Sequence, residues 1–197
     1  MEWATAEMQT VNLNDERLHK RLISLLNTLG NHPQDSIPVA CGSWAETKAA
    51  YRFFDNKNVN AERILAPHRA ATIDRIKQQK TVLLIQDTPT LNFSGQHNRT
   101  DIGPINHDKH RGLLLHPTIA VTPERLCLGI IDNYHWARKE LHPWESHEEK
   151  SRENHKIPVK DKESYKWLEG YPKAQEIADW VPDTRIVTVG RFIRLVS

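Results

Sequence analysis

Cysteine is scarce: Cys41 and Cys127 stand alone in a chain of 197 residues. They provide neither a disulfide framework nor a CxxC metal pair. A reduced, cytoplasmic compartment is the expectation. No apolar run approaches the roughly 20 residues that a membrane helix needs, so no membrane association is expected. The sequence starts Met1-Glu2-Trp3-Ala4, without a basic start or an apolar stretch, and a secretory signal is not expected. An excess of one charge is missing too. The 27 Lys+Arg nearly cancel the 25 Asp+Glu, for a net +2, which excludes a polybasic arm. Any contact with nucleic acid must come from a local basic surface. No internal repeat and no low-complexity tract is present. The length fits one domain, or a small domain joined to a larger one, and the 38% hydrophobic share is ordinary for a globular protein.

The first third has helical patterning. Asn14 is placed to cap a helix, with Asp15 and Glu16 in its first turn, where the helix dipole favours carboxylates. Leu18, Leu22, Leu25, Leu26 and Leu29 then form one apolar stripe at helical period. Gly30 and Pro33 are expected to close this helix. Ser43-Trp44-Ala45-Glu46 has the form of a capping box and opens a second helix that runs to about Phe54. A third helix is expected from Asn60, carrying Ile64, Leu65, Ile73 and Ile76, with Pro67 kinking or dividing it.

The period then changes. Thr81 to Ile85 is a short apolar run that suits a buried strand ending at Gln86-Asp87-Thr88-Pro89. Leu113 to Val121 and Leu126 to Ile131 are further strands, joined by a hairpin at Thr122-Pro123-Glu124-Arg125. Glu163 to Trp180 is a helix, with a possible break at Gly170-Tyr171-Pro172, and Arg185 to Val189 is a fourth strand. This order suits a mixed sheet with helices packed on it, in an α/β (α+β) chain. The expected domains are a helical unit over 1–70 and a sheet unit over 71–197.

Several residues are candidates for chemistry. Asp87 ends an apolar strand, where a carboxylate is placed to ligate a hard cation such as Mg²⁺. It equally suits the start of a turn, since Asp-Thr-Pro favours one. Lys48 and Arg52 lie at i and i+4 and share a helix face. Arg21 belongs to the first helix. Arg99, Lys109 and Arg111 bracket a glycine-containing loop. These six cations can contact DNA phosphates, or they are solvated residues in local ion pairs. His97, His107, His110 and His116 lack a Cys partner and an HExxH pattern, and are read as exposed. Trp136, Trp144, Trp167 and Trp180 can stack on bases or anchor the core, and anchoring is the preferred reading. The charges of 138–166 nearly cancel, which suits a solvated insertion rather than a polyanion site.

A group of patterns then coincides. Trp3-Ala4, Leu13-Asn14-Asp15-Glu16-Arg17-Leu18 and Arg21-Leu22 resemble the start of Tn-five-type (IS-four group) insertion-sequence transposases. Ser43 to Phe53, with Ala50-Tyr51-Arg52-Phe53 and the following Asn58-Val59, is similar to the same family. Leu84-Ile85-Gln86-Asp87-Thr88 resembles the strand bearing its first catalytic aspartate. Lys109-His110-Arg111-Gly112 with His116, then Lys166-Trp167-Leu168, then Ile186-Val187-Thr188-Val189-Gly190 resemble its next elements in order. The resemblance implies cut-and-paste DNA transposition. It implies a helical domain that binds transposon terminal repeats in double-stranded DNA. It also implies a ribonuclease-H-like catalytic domain in which an Asp, Asp, Glu triad holds two Mg²⁺ ions. Asp87 matches the first triad member and metal ligand. Arg52, and with it Arg21, match basic positions of the end-binding domain.

The pattern departs after the fourth strand. The family follows that strand with an aspartate and Arg-Glu, whereas Gly190 is followed here by Arg191-Phe192-Ile193-Arg194-Leu195-Val196-Ser197. The region bearing the third carboxylate is not in the sequence. The expectation is a truncated form with an incomplete ribonuclease-H-like sheet, explained by a frameshift near residue 190, that retains at most DNA binding. One carboxylate cannot hold a metal pair, so catalysis is not expected. A full-length transposase is a possible partner, which the fragment would inhibit by occupying its DNA ends. Two alternatives stand beside this reading. A decayed fragment would aggregate or be proteolysed. An unrelated metal-dependent hydrolase would need Asp101, Asp108 or His116 to join Asp87.

Overall fold

In the computed structural model, the described residues are 3–96, 98–105, 110–138, 155, 156, 158, 160, 162 and 165–190. The chain is α+β, with helices first and a mixed six-stranded sheet after them. It divides into two compact units, Met1–Ala71 and Thr72–Ser197.

The first unit is built on α1 (Trp3–Glu7), α2 (Glu16–Asn31), α3 (Ile37–Cys41), α4 (Trp44–Phe54) and the first part of α5 (Ala61–Ile76). The leucine stripe does what its spacing requires. Leu22 and Leu25 are buried with Met8, Leu13, Ala50 and Phe53, while Leu18 and Leu26 pack at the margin. Each large apolar side chain in such a core contributes about 1.5–3 kcal/mol.

Asp15, not Asn14, caps α2. Asn14 adopts a left-handed backbone at φ 58, which Asn tolerates better than most residues, and this turn puts Asp15 at the helix start. The Asp15 carboxylate accepts a hydrogen bond from the Arg17 backbone N–H at 2.8 Å and pairs with the Arg17 guanidinium at 3.0 Å. These bonds hold its pKa below the ordinary aspartate value of 3.8, the Arg17 side chain being the largest cause. A lowered folded-state pKa means that this part of the stability is present above the unfolded pKa and lost as pH falls through the folded one. Asp15→Asn keeps a capping oxygen. Its expected outcome is a shallower loss of helicity on acidification below pH ~4, read by circular dichroism. An equally steep acid limb would show that Asp15 contributes nothing to it.

Gly30 lies inside α2 and does not end it. The Trp3 ring covers this glycine so closely that a Cβ would stand 2.8 Å from its Cζ2 atom. The missing side chain serves packing of α1 on α2, and the helix ends one residue later. Pro67 likewise sits within an undivided α5. Asn60 supports the start of that helix by accepting from the Arg63 backbone N–H at 2.9 Å.

The second unit contains β1 (Thr81–Gln86), β2 (Thr90–Asn92), β3 (Gly103–Pro104), β4 (Arg111–Val121), β5 (Cys127–Trp136), α6 (Tyr165–Trp180) and β6 (Arg185–Val189). β4 is antiparallel to β1, β2, β3 and β5. β1 runs parallel to β6, with Ile85 opposite Val189. The hairpin closes through Arg125, whose left-handed backbone at φ 71 follows Pro123-Glu124 and whose N–H bonds Thr122 O at 2.9 Å. The core joins Ile76, Val82, Leu84, Ala120, Leu128 and Ile131 to Ala174, Ile177 and Val181. Along β1 the residues alternate between buried and half-buried, so one face is fully covered. α6 continues through Gly170-Tyr171-Pro172 without a break.

Gly170 has a local reason. A Cβ there would overlap the side-chain amide of Gln86, a buried residue at the end of β1. Overpacking of this kind costs about 1–3 kcal/mol. Gly170→Ala is therefore expected to lower the urea midpoint of the full chain. Gln86→Ala added to it should recover most of the loss. Strictly additive losses would show that the two positions do not compete for space.

Candidate nucleic-acid interface

The clearest cluster of exposed functional side chains lies on α4. Gly42 ends α3 with a left-handed backbone at φ 67, and its N–H bonds Pro38 O and Val39 O. This lets the chain leave α3 and enter α4 through Gly42 and Ser43 alone. The Ser43 hydroxyl accepts from the Glu46 backbone N–H at 3.2 Å and its carbonyl accepts from the Thr47 hydroxyl at 2.8 Å. That is one half of the capping box. The other half is redirected, because the Glu46 carboxylate pairs with Arg21 at 2.5 Å and ties α4 to α2.

Helical period then sorts the side chains. Thr47, Ala50 and Phe53 point inward and are buried. Trp44, Lys48, Tyr51 and Arg52, at i, i+4, i+7 and i+8, point outward and are exposed. Trp44 is 79% exposed and Tyr51 47%, values that mark aromatic rings standing in solvent rather than core anchors. Neither Lys48 nor Arg52 has an ion-pair partner among the described residues. Two like charges four residues apart repel by a few tenths of a kcal/mol. A phosphate placed between them reverses that term. Asp55, at the C-cap of α4, bounds the basic stretch on that side.

The other expected DNA contacts stand differently. Arg21 is engaged by Glu46. Arg99 is held by both oxygens of Asp101, with its Nε donating to Oδ1 at 2.9 Å, and it lies over the Phe93 ring at 4.7 Å. The Asp101 carboxyl is shifted below the ordinary range chiefly by that hydrogen bond. Arg111 is exposed and reaches Ile102 O at 3.4 Å. Lys109 lies outside the described residues, as do His97, His107 and Trp144 and most of the charged stretch 138–166. On the α4 face, exposed cations without a partner carboxylate among the described residues coincide with exposed aromatics. Lys48 and Arg52 were legible as a pair from their spacing. Trp44 and Tyr51 were not singled out, although the same i, i+4, i+7 spacing around Lys48 would have found them.

Asp87 follows β1 and is exposed, with its Oδ1 accepting from the Thr88 N–H at 2.8 Å. That bond closes onto the next residue's own backbone, and residues 87–89 form neither a turn nor a bend. Beside it, the Thr88 hydroxyl bonds His116 Nδ1 at 2.8 Å, and the His116 ring meets Trp167 edge to face at 4.9 Å. His116 is therefore buried, against the expectation of exposure. Among the described residues no group of three His, Cys, Asp or Glu converges as a metal site. The described residues do not fit a pair of Mg²⁺ ions at Asp87.

A family model described as transposase DNA-binding matches residues 1–59. The matched span takes in α1 to α4, including the outward face just described. It supports a DNA-binding, transposase role for that part of the chain. Among the described residues no helix is long and apolar enough to cross a membrane.

Proposed function

We propose that the chain binds the terminal repeats of an insertion sequence of the Tn-five type, through the outward face of α4, and that these 197 residues do so without cleaving DNA. The observation that carries this reading is the pair Lys48 and Arg52, exposed and without partner carboxylates among the described residues, on a helix inside the span matched by the transposase DNA-binding model. DNA affinity of this kind comes largely from displaced counterions. A local basic face suffices for it, which suits a chain whose net charge is only +2.

Several features support the finer reading that the second unit is an incomplete ribonuclease-H-like domain. The sheet is mixed, β1 lies between an antiparallel and a parallel neighbour, and Asp87 follows β1 directly. In-line cleavage in such a domain needs carboxylates that share two cations. Asp87 has no such companions among the described residues. The consequence for biology is competitive: by occupying transposon ends, the chain would exclude an intact transposase from them.

The test is a mobility-shift and cleavage assay on the full chain with Mg²⁺, at two salt concentrations. The duplexes span the DNA bordering the coding sequence, with a scrambled duplex as control. Binding that prefers the bordering DNA, falls steeply with salt and leaves it uncut is the expected result. Metal-dependent cutting abolished by Asp87→Ala would overturn the non-cleaving part. Absence of binding by a folded sample would overturn the whole reading.

A further inference from the structure

We infer that the second unit pairs with a second copy of itself, outer sheet face against outer sheet face. This pairing does not depend on the DNA binding proposed above.

The ladder registers put two apolar sets on opposite faces of the sheet. Val82, Leu84 and Ala120 point to the covered face, where Ile76 of α5 and Ala174, Ile177 and Val181 of α6 complete the core. Side chains alternate along a strand, so Leu83 and Ile85 point the other way. Their register partners share that outer face: Val121 and Ile119 on β4, Val187 and Val189 on β6. Ile130 of β5, opposite Ile119, extends it. None of these outer side chains is buried, and none belongs to the core cluster. Val189 is 41% exposed, whereas Val82, Leu84 and Ala120 are at 0%. A strand that is apolar on both sides suits a sheet covered on both faces. Among the described residues, the helices of this unit add core side chains to one face.

Size and charge select the occupant. With strands ~4.8 Å apart and a rise of ~3.4 Å per residue, the outer patch on β6, β1, β4 and β5 measures roughly 19 Å by 17 Å. A single helix, ~10 Å across, leaves about half of that width open. A second sheet of the same width covers it whole, since sheets stack face to face ~10 Å apart. The segments 81–85, 119–121, 127–131 and 185–189 carry one charged residue between them, Arg185, which starts β6 at a corner of the patch. The same face on another copy therefore brings no charge against its middle, and homodimer interfaces are more apolar than most. Two copies bury on the order of 1,000 Å² with the rim included, near the lower limit for a specific interface. The pair is accordingly reversible. A contact between identical patches closes at two copies.

The test is sedimentation velocity of the full chain, freed of nucleic acid, across a wide range of concentration. The parent should pass from monomer to dimer and go no further. Val189→Lys sets a charge on both copies at the patch and should weaken association by about 10-fold or more. Val189→Thr keeps the β-branched shape and removes apolar surface, so it should weaken association in the same direction even if the lysine variant does not fold. Val189→Ile should leave the dimer intact. Tyr171→Lys, at an exposed aromatic on α6, should leave it intact as well. Circular dichroism matching the parent confirms the fold of each variant. A parent that stays monomeric at every concentration would overturn the proposal. Growth beyond two copies would overturn it too, because open-ended growth is the mark of strand-edge pairing. So would a dimer that folded Val189→Lys and Val189→Thr leave unchanged, or one that Tyr171→Lys alone disrupts.

Discussion

The full chain carrying Lys48→Ala and Arg52→Ala together should bind duplex DNA about 100-fold more weakly than the parent, if each side chain holds one phosphate through a charge-assisted bond worth ~1.4 kcal/mol. The salt dependence should fall as well. Each lost phosphate contact removes about 0.9 from the slope of log affinity against log salt, so the double variant should be shallower by nearly ~2. Both side chains are exposed and unpaired among the described residues, and surface substitutions of this kind usually change stability by less than ~0.5 kcal/mol. A loss of binding in a folded double variant therefore reports the interface and not the fold. Arg21→Ala makes the informative contrast, because Arg21 braces α4 through Glu46. Isothermal or fluorescence titration at three salt concentrations checks all of these. An unchanged salt slope in the double variant would remove α4 from the interface.

Phe53→Ala should be the most damaging single change in the first unit. Phe53 is almost wholly buried on the inner face of α4, among Leu22, Leu25, Met8 and Leu13, and meets Phe54 edge to face at 5.6 Å. Truncating a buried phenylalanine costs about 3–5 kcal/mol. That rivals the whole stability of a small domain, typically ~5 kcal/mol at the low end. The expected outcome is loss of a large part of the helical circular dichroism at room temperature, together with loss of DNA binding. Phe54→Ala is the control. Its side chain is 45% exposed, so its removal should cost about half as much. Similar midpoints for the two variants in urea unfolding would contradict the inward and outward assignment of α4.

Much of this fold could be read in the sequence, and the reasons differ between elements. The Leu18 to Leu29 stripe and the run Thr81 to Ile85 are periodic enough that burial leaves few alternatives. β6, Arg185–Val189, has the expected ends, since Pro182-Asp183 precedes it and Gly190 follows it. What escaped was decided by contacts distant in sequence. Gly30 looks like a helix end until Trp3 is placed on it, and Gly170 looks like a break until Gln86 is found against it. β2 and β3 are only three and two residues long and exist by pairing with β4. α3 is a five-residue helix, too short to show a period, with Pro38 in its first turn and an end that depends on the left-handed Gly42.

The candidate site shows the same division. The shared face of Lys48 and Arg52 follows from spacing alone. That Arg21 and Arg99 are engaged by Glu46 and Asp101 does not follow from spacing, because both depend on how the chain folds around those carboxylates. Asp87 stands out from its place at a strand end, and in the structure it directly follows β1, exposed and bonded to the Thr88 N–H. The burial of His116 was missed because a histidine in a strand gives no signal of its own until Thr88 and Trp167 are seen beside it.

The most direct measurement is hydroxyl-radical footprinting of the full chain, free and bound to duplex DNA, read residue by residue by mass spectrometry. Trp44 and Tyr51 on α4, and Tyr171 and Trp180 on α6, are all exposed aromatic side chains and should all react in the free chain. On binding, Trp44 and Tyr51 should lose most of their reactivity, while Tyr171 and Trp180 keep theirs. Undiminished reaction at Trp44 and Tyr51 in a chain fully bound to DNA would contradict the assignment of α4 as the DNA-contacting helix.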